Sequence, residues 1–314
     1  MANRISWNDL PAHLQRWAET VLGSPVVRVE HATGGYSPGT TDALFCANDT
    51  AGFLKAVHPS INPHSPALLR AERHVTAQLP AAAPVAQLID AFDEGPDGWV
   101  ALMLQYVEGH QPPLPWTNDA IAAVLDDLTA LSASVTPSPV TGLKGAGTEL
   151  AHLVGNWPEL GTVNDLDPWL AARTEQLHRA AQHALVLVEG ETLTHLDLRA
   201  DNLLLRADGS MVIVDWPWAV TAAPWLDPAL LLIEFISSGA PDVDADRWID
   251  RLADVHTVTP ETLAGLLIGM LSFFESVGRQ PDPPGLPTVR AFQRFQADAL
   301  RRWVRESRHT SWLR

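Results

Sequence analysis

The segment from His195 to Asp215 constrains the fold more than any other part of the sequence. It reads HLDLRADNLLLRADGSMVIVD, in which two short apolar runs flank an Asp-Gly turn. That pattern is typical of a β-hairpin. Asn202 stands just before the first run, and Asp215 follows the second run 13 positions later. A hairpin would therefore bring the side-chain oxygens of Asn202 and Asp215 to the same end of the motif.

The hydrophobic periodicity of the chain changes near residue 116. Before that point, a leading helix is followed by three strand-like runs, one helix and two more strand-like runs. Beyond it, apolar residues recur at helical spacing near 117–134, 166–187, 226–236, 244–256, 260–277 and 288–308. We therefore predict an α+β fold with a small N-terminal lobe built on a five-stranded sheet (1–105), a connector (106–115) and a larger helical C-terminal lobe (116–314).

Composition and charge exclude several classes of function. The formal net charge is −16, which argues against a general nucleic-acid binder because such a protein needs basic surface to neutralise phosphates. Cys46 is the only cysteine, so an internal disulfide and a multi-cysteine metal site are excluded. The N-terminus lacks a secretory pattern, and the longest apolar stretch, 263–274, is too short to cross a bilayer. We expect a soluble cytoplasmic protein that binds neither membranes nor nucleic acids, and the sequence indicates no oligomeric state.

Charge is unevenly distributed along the chain. Residues 290–314 hold seven arginines and two acidic residues among apolar side chains, which predicts an amphipathic terminal helix packed on the acidic remainder. Asp246, Asp250 and Asp254 recur every four residues, so like charges stack on one face of a predicted helix. A cationic ligand such as an amino sugar would relieve that repulsion. The alternative is a solvated face whose charge is partly balanced by nearby arginines.

Three oxygen-bearing side chains of the motif suit the chemistry of phosphoryl transfer. That reaction needs metal ions on the phosphates, a group that orients and deprotonates the attacking hydroxyl, and cationic donors along the phosphate chain. Asp197, Asn202 and Asp215 carry the kind of oxygen ligand that Mg²⁺ takes. The alternative is that His195 and Asp197 are only capping or core polar residues of a loop.

Lys55 is a further candidate for this chemistry. It lies inside the apolar run FLKAV, and it is one of two lysines in a chain that has 19 arginines. A buried ammonium is costly unless it is paired. Its compact shape suits a phosphate oxygen in a narrow cleft better than a planar guanidinium does. The alternative is an exposed lysine on an edge strand.

The motifs HLDLRADN and VDWPWA, together with FLKAV and LMLQYVEG, resemble the phosphotransferase branch of the protein-kinase-like superfamily, the family of aminoglycoside phosphotransferases and choline or homoserine kinases. The resemblance implies a bilobal protein-kinase-like fold and an enzyme that moves the γ-phosphate of ATP or GTP to a hydroxyl of a small molecule. Mg²⁺ is the implied cofactor. Aminoglycosides, other antibiotics and amino sugars are the implied acceptor classes, and a cationic acceptor is compatible with the acidic chain.

The resemblance also implies roles for individual residues. By it, Asp197 is the catalytic base, and Asn202 and Asp215 are metal ligands. Lys55 contacts the α- and β-phosphates, and Glu72 on the following predicted helix is the ion-pair partner of Lys55. The alternative for Glu72 is an acidic residue on a solvated helix face.

Backbone contacts to the nucleotide are expected at two places. The turn that contains Gly34, Gly35 and Ser37 lies between the first two predicted strands, where backbone N–H groups could approach phosphates. This turn is not a P-loop, because no G-x-x-x-x-G-K-[ST] pattern occurs in the chain. In the connector region, backbone atoms from Gln105 to Val107 are the expected adenine contacts.

The sequence departs from the family pattern at two positions of the motif. Leu196 stands where the family more often has glycine, and Arg199 where it more often has histidine. Arg199 either helps to hold the transferring phosphate or forms a salt bridge with Asp201. Asp227, in WLDPA, resembles a family aspartate that braces the catalytic loop, which is a structural role.

Two other functions compete with the kinase. A catalytically silent module with the same fold would bind a nucleotide or a partner without turnover, but such a module usually lacks at least one of the residues Lys55, Asp197, Asn202 and Asp215. A metal-dependent hydrolase would use His195 and Asp197 as ligands, but the chain shows no further His, Asp or Glu pairs at ligand spacing.

Overall fold

This computed structural model describes residues 4–32, 38–240, 242–283 and 286–314. The strands in that part of the chain are β1 (Val26–His31), β2 (Thr40–Cys46), β3 (Ala51–Val57), β4 (Leu88–Asp93), β5 (Val100–Gln105), β6 (Thr192–Thr194), β7 (Leu203–Leu205), β8 (Met211–Ile213) and β9 (Val220–Ala222). The α-helices there are α1 (Ala12–Leu22), α2 (Ser65–Thr76), α3 (Asn118–Ser134), α4 (Ala146–Val154), α5 (Trp157–Leu160), α6 (Pro168–Ala171), α7 (Thr174–Leu187), α8 (Leu226–Ser237), α9 (Ala245–His256), α10 (Pro260–Val277) and α11 (Val289–Glu306). Short 3₁₀ turns cover Trp7–Asp9, Ala200–Asn202 and Arg308–Leu313.

The described residues group into two compact units, and neither unit is continuous in sequence. The first unit contains the described residues of 1–111, 201–218 and 283–287. The second unit contains the described residues of 112–200, 219–282 and 288–314. The lobes predicted from the sequence are instead continuous segments of the chain, and their boundaries stay a prediction.

Strands β1 to β5 form one antiparallel sheet in the order β1-β2-β3-β5-β4. Successive side chains of a strand point to opposite faces of the sheet. On one face, Leu44 and Leu54 pack with α1. On the other face, Leu102 packs with Leu69 of α2. Lys55 is the register partner of Leu102 and therefore lies on the face that α2 covers.

The hairpin predicted from the motif is confirmed as β7 and β8. Leu203 pairs with Ile213 and Leu205 with Met211 in an antiparallel register. Gly209 in the connecting turn has φ = +83°, a conformation that glycine adopts without strain. The hairpin belongs to the first unit, together with the five-stranded sheet.

Helices α7 and α10 pack against each other in the second unit. The Thr259 side chain accepts a hydrogen bond from the Thr262 N–H and caps α10 at its N-terminus. A Cβ atom at Gly265 would lie 2.6 Å from the Ala180 carbonyl oxygen, so only glycine permits this approach of the two helices. Although α10 is largely apolar, no helix in the described ranges combines the length and apolarity needed to cross a bilayer.

The C-terminal helix α11 packs on acidic side chains of its own unit, as the charge distribution predicts. Arg301 Nε lies 2.9 Å from Oε1 of Glu275, a buried residue of α10. Arg305 forms an ion pair with Asp167, which also caps α6. These pairs place opposite charges at the sites where the helix meets its neighbours.

The second unit differs from the sequence prediction in its short elements. The helix predicted near 166–187 is interrupted between α6 and α7, where the Arg173 guanidinium donates to the carbonyls of Trp169 and Leu313. Helices α4 and α5 and the strand pair β6–β9 were not predicted. Each of β6 and β9 has three residues, which is too short for a periodic signal.

Candidate active site

A buried cluster of three charged side chains, Lys55, Glu72 and Asp215, lies in the first unit. Lys55 Nζ is 2.7 Å from Glu72 Oε1, 2.8 Å from Glu72 Oε2 and 2.6 Å from Asp215 Oδ1. Lys55 is 7% exposed and Glu72 is 1% exposed, so neither lies on a solvated surface. An ammonium group has three protons to donate. The two carboxylates therefore engage all the donors of Lys55.

Each member of this cluster is positioned by its secondary structure. Lys55 is in the middle of β3, and Glu72 is on the buried side of α2. Glu72 also accepts a hydrogen bond from the backbone N–H of Trp216. Asp215 follows β8 with φ = +71°, a left-handed conformation that is uncommon for a residue with a side chain.

Electrostatics within the cluster favour a charged lysine. Burial alone would lower the pKa of the Lys55 ammonium, but the carboxylates of Asp215 and Glu72 outweigh burial and raise this pKa. Burial raises the pKa of Glu72, and the Lys55 charge opposes that shift. Lys55 therefore stays protonated, because its two partners together compensate for the loss of water.

The cluster borders a cavity of about 360 Å³ in the first unit, within the size range of small-molecule sites. Its walls include Thr41, Ala43, Phe53, Lys55, Leu104, Gln105, Tyr106, Val107, Asp201, Asn202 and Asp215. The structure thus brings together five residues that the sequence proposes for nucleotide and metal binding: Lys55, Gln105, Val107, Asn202 and Asp215.

Oxygen donors suited to a hard cation line the same cavity. Asn202 is buried, and its backbone carbonyl accepts the N–H of Val214 at 3.0 Å, next to Asp215. The hairpin thereby places the Asn202 amide and the Asp215 carboxylate in one cavity wall. Within the described ranges, no group of three or more His, Cys, Asp or Glu side chains could hold a metal. Two protein oxygens fit Mg²⁺, which keeps several waters and takes few protein ligands.

The loop with Asp197 belongs to the second unit and is held there by Asp227. Asp227 Oδ2 accepts the His195 N–H at 2.7 Å, and Asp227 Oδ1 accepts the Leu196 N–H at 2.9 Å. Leu196 has φ = +71°, a conformation that explains why glycine suits this position. His195 is fully buried, and its Nδ1 accepts the N–H of Asp197 at 3.2 Å.

Two acidic side chains, Asp227 and Glu234, accept hydrogen bonds from the backbone of this loop. Burial raises the pKa of Asp227 to about 7, against the opposing effect of the two N–H donors and with a smaller contribution from the charge of Asp197. The N–H of Ala200 donates to Glu234 Oε2 at 2.7 Å. Sequence reasoning missed Glu234, although an acid inside the apolar run LLLIEFI of α8 signals a buried partner.

Arg199 contacts Asp197 in this structure. Its Nη1 lies 3.2 Å from Asp197 Oδ1 and 3.3 Å from Asp197 Oδ2. The sequence proposed either a phosphate or Asp201 as the partner of Arg199, and it did not foresee this pair. Arg199 thus places a positive charge beside the proposed base.

Other predicted residues lie elsewhere. Gly34, Gly35 and Ser37 lie outside the described residues.

The acidic face of α9 contacts the C-terminal segment. Asp246 accepts hydrogen bonds from Trp303 Nε1, Ser307 Oγ and the Arg308 N–H. Asp250 pairs with Arg308 and His309. The stacked acids are therefore partly neutralised within the chain.

Comparisons with known proteins point to one class. The choline kinase from Streptococcus pneumoniae is 14% identical, over 94% of this chain and 98% of that chain, with a TM-score of 0.58. A spectinomycin phosphotransferase in complex with ADP and spectinomycin is 14% identical over 92% and 96%, with a TM-score of 0.55. A thermostable mutant of an aminoglycoside phosphotransferase in a ternary complex with AMP-PNP and hygromycin B is 12% identical over 95% and 100%, with a TM-score of 0.59. At these identities the likeness shows a shared fold.

The fold and the family comparison together define a small-molecule kinase with a protein-kinase-like architecture. The profile of the phosphotransferase enzyme family matches residues 42–266, which is most of the chain. This chain belongs to that family. No curated protein sequence matches it significantly.

Proposed function

We propose that this enzyme moves the γ-phosphate of ATP or GTP to a hydroxyl of a small molecule. The observation that carries the proposal is the buried Lys55, paired with both Glu72 and Asp215 in the wall of a cavity of about 360 Å³. A charged lysine beside a carboxylate is what binding of a metal–polyphosphate complex requires. Structural neighbours in complex with ADP and AMP-PNP support a nucleotide as the second substrate.

In this proposal the first unit binds the nucleotide. Lys55 contacts the α- and β-phosphates, and Glu72 holds the lysine in place. Gly34, Gly35 and Ser37 offer backbone N–H groups to the phosphates. The adenine or guanine lies against the backbone of Gln105 to Val107, which lines the cavity. Leu104 and Phe53 are apolar and would exclude water from the base.

Asn202 and Asp215 would hold Mg²⁺, which would neutralise charge on the β- and γ-phosphates. The chain itself supplies the remaining groups. Asp197 would accept the proton of the acceptor hydroxyl as the oxygen attacks the γ-phosphorus. The bond from the γ-phosphorus to the bridging oxygen would break, and ADP or GDP would leave with its electron pair. Arg199 would hold Asp197 in position and would share its charge with the transferring phosphoryl group. Asp227 and Glu234 fix the backbone of this loop through three N–H groups.

We also propose the boundaries of the two lobes and the cellular location of the protein. A nucleotide-binding lobe (1–105) and a helical lobe with the acceptor site (116–314) would be joined by the connector (106–115). The cytoplasm is the proposed location, because ATP and GTP are available there and the chain has one cysteine, which is buried.

The proposed acceptor is a small, cationic hydroxyl compound. The net charge of −16 supports a cation. Structural neighbours bound to hygromycin B and spectinomycin, and a choline kinase, support aminoglycosides, other antibiotics and amino alcohols as the classes to test.

The test is a screen of nucleotide consumption with Mg²⁺, with ATP and GTP in parallel, against aminoglycosides, other antibiotics, amino alcohols and sugars. Acceptor-dependent release of ADP or GDP, with a phosphorylated acceptor seen by mass spectrometry, is the expected result. Nucleotide binding without turnover on any acceptor would instead support the catalytically silent module.

A further inference from the structure

Strand β2 begins with two threonines whose hydroxyls are buried. Among the described residues, neither Thr40 Oγ1 nor Thr41 Oγ1 has a hydrogen-bond partner. Adjacent strand residues point to opposite faces of the sheet. Thr41 is the register partner of Lys55 and lines the cavity, whereas Thr40 does not. The Thr41 hydroxyl therefore lies at the cavity wall on the Lys55 side of the sheet.

A buried hydroxyl without a partner is costly, unless a ligand satisfies it. The cavity that Thr41 lines can hold such a ligand. Since Thr41 lies directly across from Lys55, a ligand group that reaches the Thr41 hydroxyl would also be near the ammonium. The hydroxyl can donate to an anionic oxygen at this position.

Arg4 brings a second permanent cation to the same cavity. Arg4 is one of the residues that line the cavity, and its guanidinium donates to the Ala32 carbonyl. The backbone of Arg4 forms a parallel bridge with Gly39, two positions before Thr41. Gly39 has φ = +98°, and a Cβ atom there would lie 2.4 Å from the Ala56 carbonyl oxygen, so this close approach depends on glycine. The bridge therefore fixes Arg4 next to the start of β2.

Two carboxylates engage the donors of Lys55. Lys55 alone therefore offers little positive charge to balance the several negative charges of a polyphosphate. Arg4 and Lys55 are the permanent cations among the residues that line the cavity. A guanidinium presents several donors and binds phosphate oxygens in pairs. Arg4 thus supplies the positive charge that the cavity needs beyond Lys55.

We propose that Arg4 and Thr41 form a phosphate-binding subsite of this cavity, in which the guanidinium and the hydroxyl donate to phosphate oxygens of the nucleotide. The subsite rests on the proposed function and deepens it. It gives the segment before α1 a role in positioning the nucleotide.

The experiment is calorimetry with ADP and with adenosine, in the presence of Mg²⁺, or with GDP and guanosine if the enzyme uses GTP. Thr41→Val keeps the side-chain shape and removes the hydroxyl, and Thr40→Val is its matched control on the opposite face. Arg4→Gln removes the charge, and Arg16→Gln on α1 is its matched control. Circular dichroism and melting curves check the fold of each variant.

We expect Thr41→Val and Arg4→Gln each to weaken ADP binding about 10-fold or more and to leave adenosine binding unchanged, because hydrogen bonds to charged groups are the stronger kind. The two controls should bind both ligands as the wild type does. Unchanged ADP affinity in both variants would overturn the subsite. An equal loss of affinity for ADP and for adenosine would overturn it as well. In both cases, nucleotide binding by the wild type would still support the proposed function. Absence of nucleotide binding to the wild type would overturn the proposed function itself.

Discussion

Lys55 and Asp215 form a direct ion pair, with Nζ 2.6 Å from Oδ1, although 160 positions separate them in the sequence. The proposed phosphate-binding lysine and a proposed metal ligand therefore neutralise each other in this structure. A cation that binds Asp215 would draw the carboxylate away and release a donor of Lys55 for a phosphate oxygen. Metal and nucleotide should for this reason bind with positive cooperativity.

Asp215→Ala should abolish the gain in nucleotide affinity that Mg²⁺ provides, since it removes a proposed metal ligand. The measurement is calorimetric titration of nucleotide with Mg²⁺ and with a chelator. Asp208→Ala in the exposed turn of the hairpin is the control and should behave as the wild type. If the Asp215 variant kept the wild-type affinity for the Mg²⁺–nucleotide complex, Asp215 would not be a metal ligand.

Lys55→Arg should not restore function, although the charge is kept. The guanidinium is wider and planar, so it would displace the α- and β-phosphates of a nucleotide bound as proposed. A misplacement of about 1 Å can cost on the order of 10²-fold in rate. Lys55→Ala should have similarly low activity. The measurement is kcat/KM for the nucleotide in the wild type and in both variants.

Lys144→Arg is the control for the lysine series, because Lys144 is exposed and pairs with Glu149. It should retain wild-type kcat/KM. Near-wild-type activity in Lys55→Arg would mean that Lys55 contributes only diffuse charge, and near-wild-type activity in Lys55→Ala would remove Lys55 from the site.

Asp227 should make the stability of the protein depend on pH. Its pKa is about 7 in the folded protein, against an ordinary value of 3.8. Between these values the folded chain keeps a proton that the unfolded chain has released, so the contribution of Asp227 to stability falls as pH rises. Asp227→Asn removes this titration. The measurement is the urea midpoint of the wild type minus that of the variant. This difference should decrease as the pH is raised from about 4 to about 7. A difference in midpoint that does not vary with pH would contradict the raised pKa of Asp227.

Asp246→Ala should destabilise the second unit by about 2 to 4 kcal/mol, because three donors of the C-terminal segment lose their acceptor and two of them, Trp303 Nε1 and Ser307 Oγ, are partly buried. Asp254→Ala on the same helix is the matched control and should change stability by less than about 0.5 kcal/mol. Chemical denaturation measures both. Equal losses of stability in the two variants would indicate that the acidic face of α9 is simply solvated.

The sequence was sufficient to predict that Lys55, Glu72 and Asp215 lie together, whereas their chemical roles stay a prediction. A lysine in an apolar strand, an acid on the next helix and an aspartate after a hairpin are local patterns, and their meeting follows from the resemblance to a known fold. The long helices and the five-stranded sheet were predictable for a similar reason, since their periodicity extends over many residues.

The remaining features depend on contacts between distant segments. The interruption between α6 and α7 accompanies a hydrogen bond from Arg173 to Leu313, which no local pattern contains. The pair of Arg199 with Asp197 depends on the left-handed Leu196 and on the loop geometry that Asp227 fixes. Thr41 could not be distinguished from Thr40 before the register of β2 with β3 was known.

The most direct test of the account is the turnover of Asp197→Asn on the acceptor that the screen identifies. We predict that kcat falls by about 10²- to 10⁴-fold, the range typical of a positioned general base, while the affinity for the nucleotide stays within about twofold of the wild type. Asp208→Asn, on the exposed hairpin turn, serves as the matched control. A variant that phosphorylates the acceptor at the wild-type rate would contradict both the role of Asp197 and the mechanism proposed for this enzyme.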